Sequence, residues 1–224
     1  MPVTTTVLDR EMYTEAGAAR LLRLAPGTLH YWLEGGERRG KIYKPVIRDE
    51  ATGSRSVTWA EFIEAGLLRQ YRRAHNVAMV DVRNFIDAMR QRTGVPYPLA
   101  HYKPFATGRQ LLHQAQTDAG LPSEWALVAP AGDQLLLLPP AQAFVDRVVW
   151  SDDIASAWRP DSDLDSLVIV DPDVRFGRPS VGGVSTEILA EQADSGVEEL
   201  AEMFDLTEQQ VRWALSYELA EQAA

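Results

Sequence analysis

Three sets of residues in this sequence have types that could bind a metal or a phosphate, and each lacks part of what that chemistry requires. Asp161, Asp163 and Asp165 alternate as calcium-loop ligands do, but no glycine stands at the sharp-turn position and no glutamate closes the loop. The stretch Trp158 to Asp163, rich in Pro, Ser and Asp, reads instead as a solvated linker. His30, His75, His101 and His113 are too scattered for a zinc-ligand spacing, and no cysteine or His-Glu-x-x-His string completes a site. Gly177 to Gly183 has no lysine after a second glycine, so it is a turn with the wrong chemistry for a phosphate loop. No nucleophile can be paired with a base. The expectation is a chain that is not an enzyme and takes no cofactor.

Cations carry the stronger signal. The 224 residues have a net charge of −10, which on average repels duplex DNA. The charge is segregated, however. Residues 1–115 hold 17 Lys and Arg against 11 Asp and Glu, a net of +6, while residues 116–224 hold 5 against 21, a net of −16. A basic half joined to an acidic half points to one surface for a polyanion and a second for a different partner. With 46% hydrophobic residues the chain can fill ordinary cores, and its length suggests more than one module. The absence of cysteine fits a reducing compartment. Met1 to Arg10 has no signal-peptide core, and the longest aliphatic run, Leu135 to Leu138, cannot span a bilayer. A cytoplasmic protein with no membrane partner is expected.

The elements that would position the cations begin at Thr14, which can cap a helix burying Ala18, Ala19, Leu21 and Leu22. Pro26 suits the first turn of a second helix, whose Leu29, Trp32 and Leu33 form a buried stripe ending at Gly35-Gly36. Two short helices joined by a tight turn make a helix-turn-helix pattern. Its outward positions are Thr28, His30, Tyr31 and Glu34, side chains able to reach base edges and phosphates. Residues Arg38 to Arg48 then read as a strand, Asp49 to Ser54 as a turn, and Arg55 to Thr58 as a returning strand. That β-hairpin wing would carry Arg38, Arg39, Lys41, Lys44, Arg48 and Arg55 to a duplex backbone. Two amphipathic helices, Trp59 to Arg73 and Val80 to Arg92, follow, the first with Phe62, Ile63, Leu67 and Leu68 inside and Arg69, Arg72 and Arg73 outside.

Further on, Ala126 to Pro130 and Leu135 to Leu138 flank a hairpin turn, and Val145 to Trp150 reads as another strand. At the C-terminus, Ser195-Gly196-Val197-Glu198 and Thr207-Glu208-Gln209-Gln210 spell capping boxes, and Leu200, Met203, Phe204, Leu206, Val211, Trp213, Ala214, Leu215 and Tyr217 supply a small core. Residues 164–224 hold 3 Lys and Arg against 13 Asp and Glu, so this three-helix module suits a protein partner or self-association better than DNA. Arg212 and Tyr217 are its candidate contact residues. The fold class expected is α+β, mostly helical: a winged helix-turn-helix over 1–95, a β-rich connecting region over 96–160, and an acidic helix-turn-helix-like module over 161–224.

The segments Tyr13 to Leu22 and Pro26 to Leu33 resemble the opening helices of MerR-like winged-helix regulators. Val168 to Pro179, Thr186 to Leu189, Val197 to Ala201 and Val211 to Glu218 resemble the bacterial domain of unknown function 433, although Gly182-Gly183-Val184 stands where that family often has an arginine. A MerR-like head on such a tail resembles a VapB-like type II antitoxin group. The resemblance implies an antitoxin that neutralises a PIN-domain ribonuclease toxin and represses its own operon. The residues expected at DNA are Thr28, His30, Tyr31, Arg38, Arg39, Lys41, Lys44 and Arg55, with a homodimer on an inverted repeat. The second reading is a MerR-like transcriptional regulator that senses a small ligand and has no toxin partner.

Overall fold

The first helix begins where its cap dictates: the Thr14 hydroxyl accepts the Gly17 N–H at 3.1 Å, and α1 (Glu15–Leu21) buries Ala18, Ala19 and Leu21. The computed structural model describes residues 6–38, 40–74, 79–121, 123, 126–131 and 134–222, with residues 38 and 71–74 described by their backbone alone. Arg23, at φ +49, turns the chain into α2 (Pro26–Glu34), where proline fills the first position and Leu29, Trp32 and Leu33 are fully buried. Gly35 ends α2 at φ +72 and ψ −145, a region closed to other residues, and a Cβ there would lie 2.2 Å from the Tyr43 carbonyl oxygen. Gly35→Ala is therefore expected to lower unfolding free energy by about 2 kcal/mol or more in urea titration.

The expected wing from Arg38 to Thr58 resolves into two separate pairings. Strands β2 (Gly36–Arg38) and β3 (Lys41–Tyr43) form a short hairpin in the register Gly36↔Tyr43 and Arg38↔Lys41. The expected returning strand, β4 (Ser56–Thr58), pairs instead with β1 (Glu11–Thr14), setting Tyr13 opposite Val57 and Thr14 opposite Ser56. The reason lies between them. Pro45 has no N–H for a ladder, and Val46 and Ile47 turn inward together, both fully buried, with their N–H groups donating to the Trp32 carbonyl at 2.8 and 2.9 Å.

Helices α3 (Trp59–Ala74) and α4 (Met79–Thr93) form as the periodicity predicts. Phe62, Ile63, Leu67 and Leu68 are buried, but so is Arg69, expected outside; the side chains of Arg72 and Arg73 lie outside the described residues. From α4, Arg83 donates to the carbonyls of Pro45 and Lys44 at 2.7 and 2.6 Å, and Arg90 donates to that of Ile47, so this helix clamps the segment after the hairpin.

Residues 96–160, expected to be β-rich, also hold α-helices among the described residues: α5 (Lys103–Ala106), α6 (Arg109–Asp118) and α7 (Pro139–Arg147). The expected hairpin is present as β5 (Val128–Ala131) and β6 (Gln134–Leu137), its turn residues 132 and 133 lying outside the described ones. Buried Gln116 on α6 acts as a substitute strand edge, accepting from the Leu127 N–H at 2.9 Å and donating to the Val128 carbonyl at 2.7 Å. The expected strand from Val145 to Trp150 is split, because Val145 to Arg147 complete α7. β7 (Val148–Ser151) and β8 (Ile154–Trp158) then form a hairpin whose tight turn places Asp152 and Asp153 at φ +49 and +70.

Two compact units divide within that hairpin, one comprising residues 1–146 and 150–155 and the other 147–149 and 156–224. In the second unit Trp158 is no linker residue: it is 3% exposed, pairs with Val170, and lies under the Arg147 guanidinium, 4.6 Å from the ring centre. The alternating aspartates close Asx turns, Asp161 accepting from the Asp163 N–H at 3.1 Å and Asp163 from the Asp165 N–H at 3.0 Å. Short strands β9 (Ser180–Val181) and β10 (Val184–Ser185) lead into α8 (Thr186–Glu191), α9 (Val197–Phe204) and α10 (Glu208–Gln222). Val168, Val181, Leu189, Ala214 and Tyr217 form one core cluster, and Leu200, Ala201 and Val211 a second. Of the two capping boxes, Thr207–Gln210 is made in both directions, at 2.8 and 3.2 Å. The Ser195 box is not made; Gly196, at φ +86, takes the cap position of α9. The whole is a mixed α+β chain, about 53% helical, with small antiparallel sheets.

Candidate nucleic-acid interface

The geometry around α2 comes from two carboxylates, buried Glu15 and half-buried Glu34. Glu15, the first residue of α1, has a side chain only 8% exposed. It holds His30 Nδ1 at 3.0 and 3.1 Å and accepts from Arg55 Nη1 at 2.8 Å. The His30 side chain stays 42% exposed and that of Arg55 76% exposed, so Glu15 anchors both from beneath while their outer edges face solvent. Thr28, on the first turn of α2, is half-buried.

The second carboxylate, Glu34, belongs to the scaffold and not to the outward face expected for it. Its oxygens take the Gly53 N–H at 2.7 Å, the Thr52 hydroxyl at 3.1 Å and the Arg48 guanidinium. Burial opposes its ionisation, but these hydrogen bonds and the arginine charge outweigh that effect and hold its pKa below the ordinary value. Arg48, read from sequence as a wing cation, is 5% exposed. It donates to both oxygens of Glu61 at 2.7 and 3.1 Å, to Thr52 at 2.8 Å, and to the carbonyls of Ser54 and Ser56 at 3.2 and 2.7 Å. Burial disfavours its charge, and the two carboxylates more than restore it, raising its pKa. This arginine fixes the 49–56 segment and is closed to a phosphate.

Tyr31 is likewise corrected. It is 7% exposed, and its ring meets that of Tyr43 edge-on at 6.4 Å, because the β2–β3 hairpin covers that flank of α2. Lys41 and Lys44 are exposed, the Lys41 ammonium lying 5.4 Å from the Tyr43 ring centre. Arg38 and Arg39 were expected on the same wing; the Arg38 side chain and the whole of Arg39 lie outside the described residues. The structure thus groups Thr28, His30 and Arg55 about α2 and Lys41 and Lys44 on and beside the hairpin, and removes Tyr31 from the surface.

In the acidic unit, Arg212 is exposed and pairs with Glu208 at 2.5 Å across one helical turn, whereas Tyr217 is 5% exposed within the core. The exposed carboxylates Glu198, Glu202, Asp205 and Glu208 rim a concavity floored by Ala201 and Leu206. Sequence reasoning missed Glu15, since an acid in a first helical turn ordinarily reads as a partner for the helix dipole. It also missed Phe176, which is 87% exposed at φ +55 between Arg175 at φ +49 and Gly177 at φ +68. An aromatic beside glycine in a turn was its only signal. Among the described residues no three His, Asp or Glu side chains gather to hold a metal ion, and no helix is long and apolar enough to cross a membrane.

These features define a two-unit α+β protein with a cation-bearing helix pair and hairpin in one unit and an acidic helical surface in the other. No family model matches the chain. It is 31% identical over 229 residues to "Uncharacterized protein Rv2308" of Mycobacterium tuberculosis, covering 95% of this chain and 92% of that protein, and it belongs to the same family. It is also 26% identical over 226 residues to the protein of the same organism named "Putative antitoxin VapB45", covering 92% of this chain and 93% of the relative. The crystal structure of Rv2018 from M. tuberculosis shares the fold, with a TM-score of 0.74 at 25% identity over 94% of this chain and all of that one.

Proposed function

We propose that this chain is a non-enzymatic, DNA-binding antitoxin of a type II toxin-antitoxin system, which binds duplex DNA at its own operon and neutralises a PIN-type ribonuclease toxin. The observation that carries the DNA half is the set of polar and cationic side chains around α2: His30 and Arg55 on one buried carboxylate, Thr28 on the same helix, and exposed Lys41 and Lys44 alongside. In the MerR-like use of such a unit, α2 enters the major groove and the hairpin cations meet the flanking backbone, with two copies on an inverted repeat. The toxin half draws on the antitoxin name of a relative and on the acidic α9–α10 surface, where the carboxylates Glu198, Glu202, Asp205 and Glu208 suit a basic partner and Arg212, paired with Glu208, stands beside them.

The test has two arms. Gel-shift and footprinting on the DNA upstream of the chain's own gene should reveal two related half-sites. Lys41→Ala with Lys44→Ala should weaken binding to all sequences and flatten the slope of log affinity against log salt by about one for each phosphate that is no longer neutralised. Co-expression with the adjacent gene should yield a co-purifying complex and relieve growth arrest. A chain that binds no duplex and captures no neighbour's product would remove the proposal. DNA binding that answers to a small molecule, with no co-purifying partner, would instead select the ligand-sensing regulator.

A further inference from the structure

The Glu15, His30 and Arg55 cluster has a charge balance that makes it more than three surface residues. Glu15 is more than nine-tenths buried and spends one carboxylate on two partners, so it cancels the Arg55 charge while leaving that guanidinium's outer edge in solvent. His30 turns Nδ1 to the carboxylate at 3.0 Å, which sets Nδ1 as the inward N–H and leaves Nε2 as the ring nitrogen not held by it. With His30 neutral the cluster sums to zero, and with His30 protonated it carries one positive charge and a second N–H donor.

Of the other described charged groups near α2, some are held by partners and the rest stand exposed, among them Lys44 after the hairpin. On α2 itself Glu34 is held by Arg48, Thr52 and Gly53; from α3, Glu61 is held by Arg48; from the hairpin, Lys41 lies by the Tyr43 ring; on α1, Arg20 is exposed. Among the described residues, Glu15 is the charged group bonded to His30, and Arg55 joins the cluster through Glu15. We infer that Glu15, His30 and Arg55 form a single binding site for a backbone phosphate, in which buried Glu15 is the positioning residue and protonation of His30 turns a neutral cradle into a cationic one. The inference rests on the DNA-binding reading and adds to it a built phosphate site with a pH-dependent grip.

Binding of the full-length protein to the duplex upstream of its gene, measured at pH 6 and pH 8 over a salt series, tests this. Wild type should bind several-fold more tightly at pH 6, with a salt slope steeper by about one per protomer, the signature of one additional neutralised phosphate. His30→Gln should abolish the difference between the two pH values, whatever its absolute affinity. Glu15→Gln leaves Arg55 uncompensated, so its binding at pH 8 should rise while its pH difference shrinks. If Glu15 serves only the fold, Glu15→Gln will instead lower melting temperature and weaken binding equally at both pH values, which overturns its assignment. Duplex binding with one affinity and one slope at both pH values, or a pH difference that survives in His30→Gln, overturns the site while leaving the DNA-binding reading intact. Failure of wild type to bind duplex at either pH removes that reading and the site with it.

Discussion

Arg48→Ala should cost about 3–5 kcal/mol of unfolding free energy, as is typical when one partner of a buried ion-pair network is removed. The guanidinium spans three parts of the first unit: the end of α2 through Glu34, the start of α3 through Glu61, and the 52–56 segment through a hydroxyl and two carbonyls. Its removal leaves two carboxylates with side chains 9% and 4% exposed and no counter-charge. Arg48→Lys should recover less than half of that stability, because an ammonium cannot meet both Glu61 oxygens in the planar fork that Nε and Nη2 provide. Arg48→Met combined with Glu34→Gln and Glu61→Gln should be less destabilised than Arg48→Ala alone, since it removes the stranded charges as well. Urea unfolding of the four proteins decides the matter. A change below about 1 kcal/mol for Arg48→Ala would mean the network is solvated and contributes little.

That arginine also marks where the sequence could be read and where it could not. Helix starts were legible because a cap is local: Thr14 lies three residues from Gly17, Thr207 three from Gln210, and Pro26 opens α2 by its own ring. Thr58-Trp59-Ala60-Glu61 spells another such box, with bonds of 2.9 and 3.3 Å opening α3, and is readable by the same rule. Arg48 was opaque because its partners stand 13 and 14 residues away, and in a run of alternating cations it looks like any wing residue. The two-part wing was hidden for a related reason: β4 finds its mate in β1, some 40 residues earlier, and short strands carry no mark of their partner. Tyr31 reads as outward on a one-stripe helix, but α2 is covered on two flanks, by the core and by the hairpin. In the middle region Leu135 to Leu138 gave the hairpin, while α6 and α7 present too short an apolar stripe to stand out from loop.

Glu64→Gln should reverse the usual order of a charged residue and its neutral isostere as pH rises. Glu64 sits on α3 with no exposed surface, accepting from the Leu99 N–H through Oε1 at 3.0 Å, while Oε2 has no hydrogen-bond partner among the described residues. Burial pushes its carboxyl up to about 8, against the opposing effects of the Leu99 N–H and the Arg90 charge. The folded protein therefore keeps a proton that the unfolded chain releases above its ordinary value of 4.5. Stability contributed by the neutral acid is complete below 4.5 and declines progressively as pH rises to about 8, beyond which both states are ionised and the curve is flat. Glutamine cannot ionise and retains an oxygen for Leu99, but its amide NH2 is buried where Oε2 finds no partner, at a cost of roughly 1–3 kcal/mol independent of pH. At pH 6, safely above the isoelectric point of about 4.9, the variant should be the less stable or equal. Between pH 6 and pH 9 wild type should lose on the order of 2 kcal/mol relative to it. Paired urea titrations at the two pH values measure that change directly. A stability difference that stays constant from pH 6 to pH 9 would mean Glu64 is already ionised in the folded protein at neutral pH, with a partner for its second oxygen.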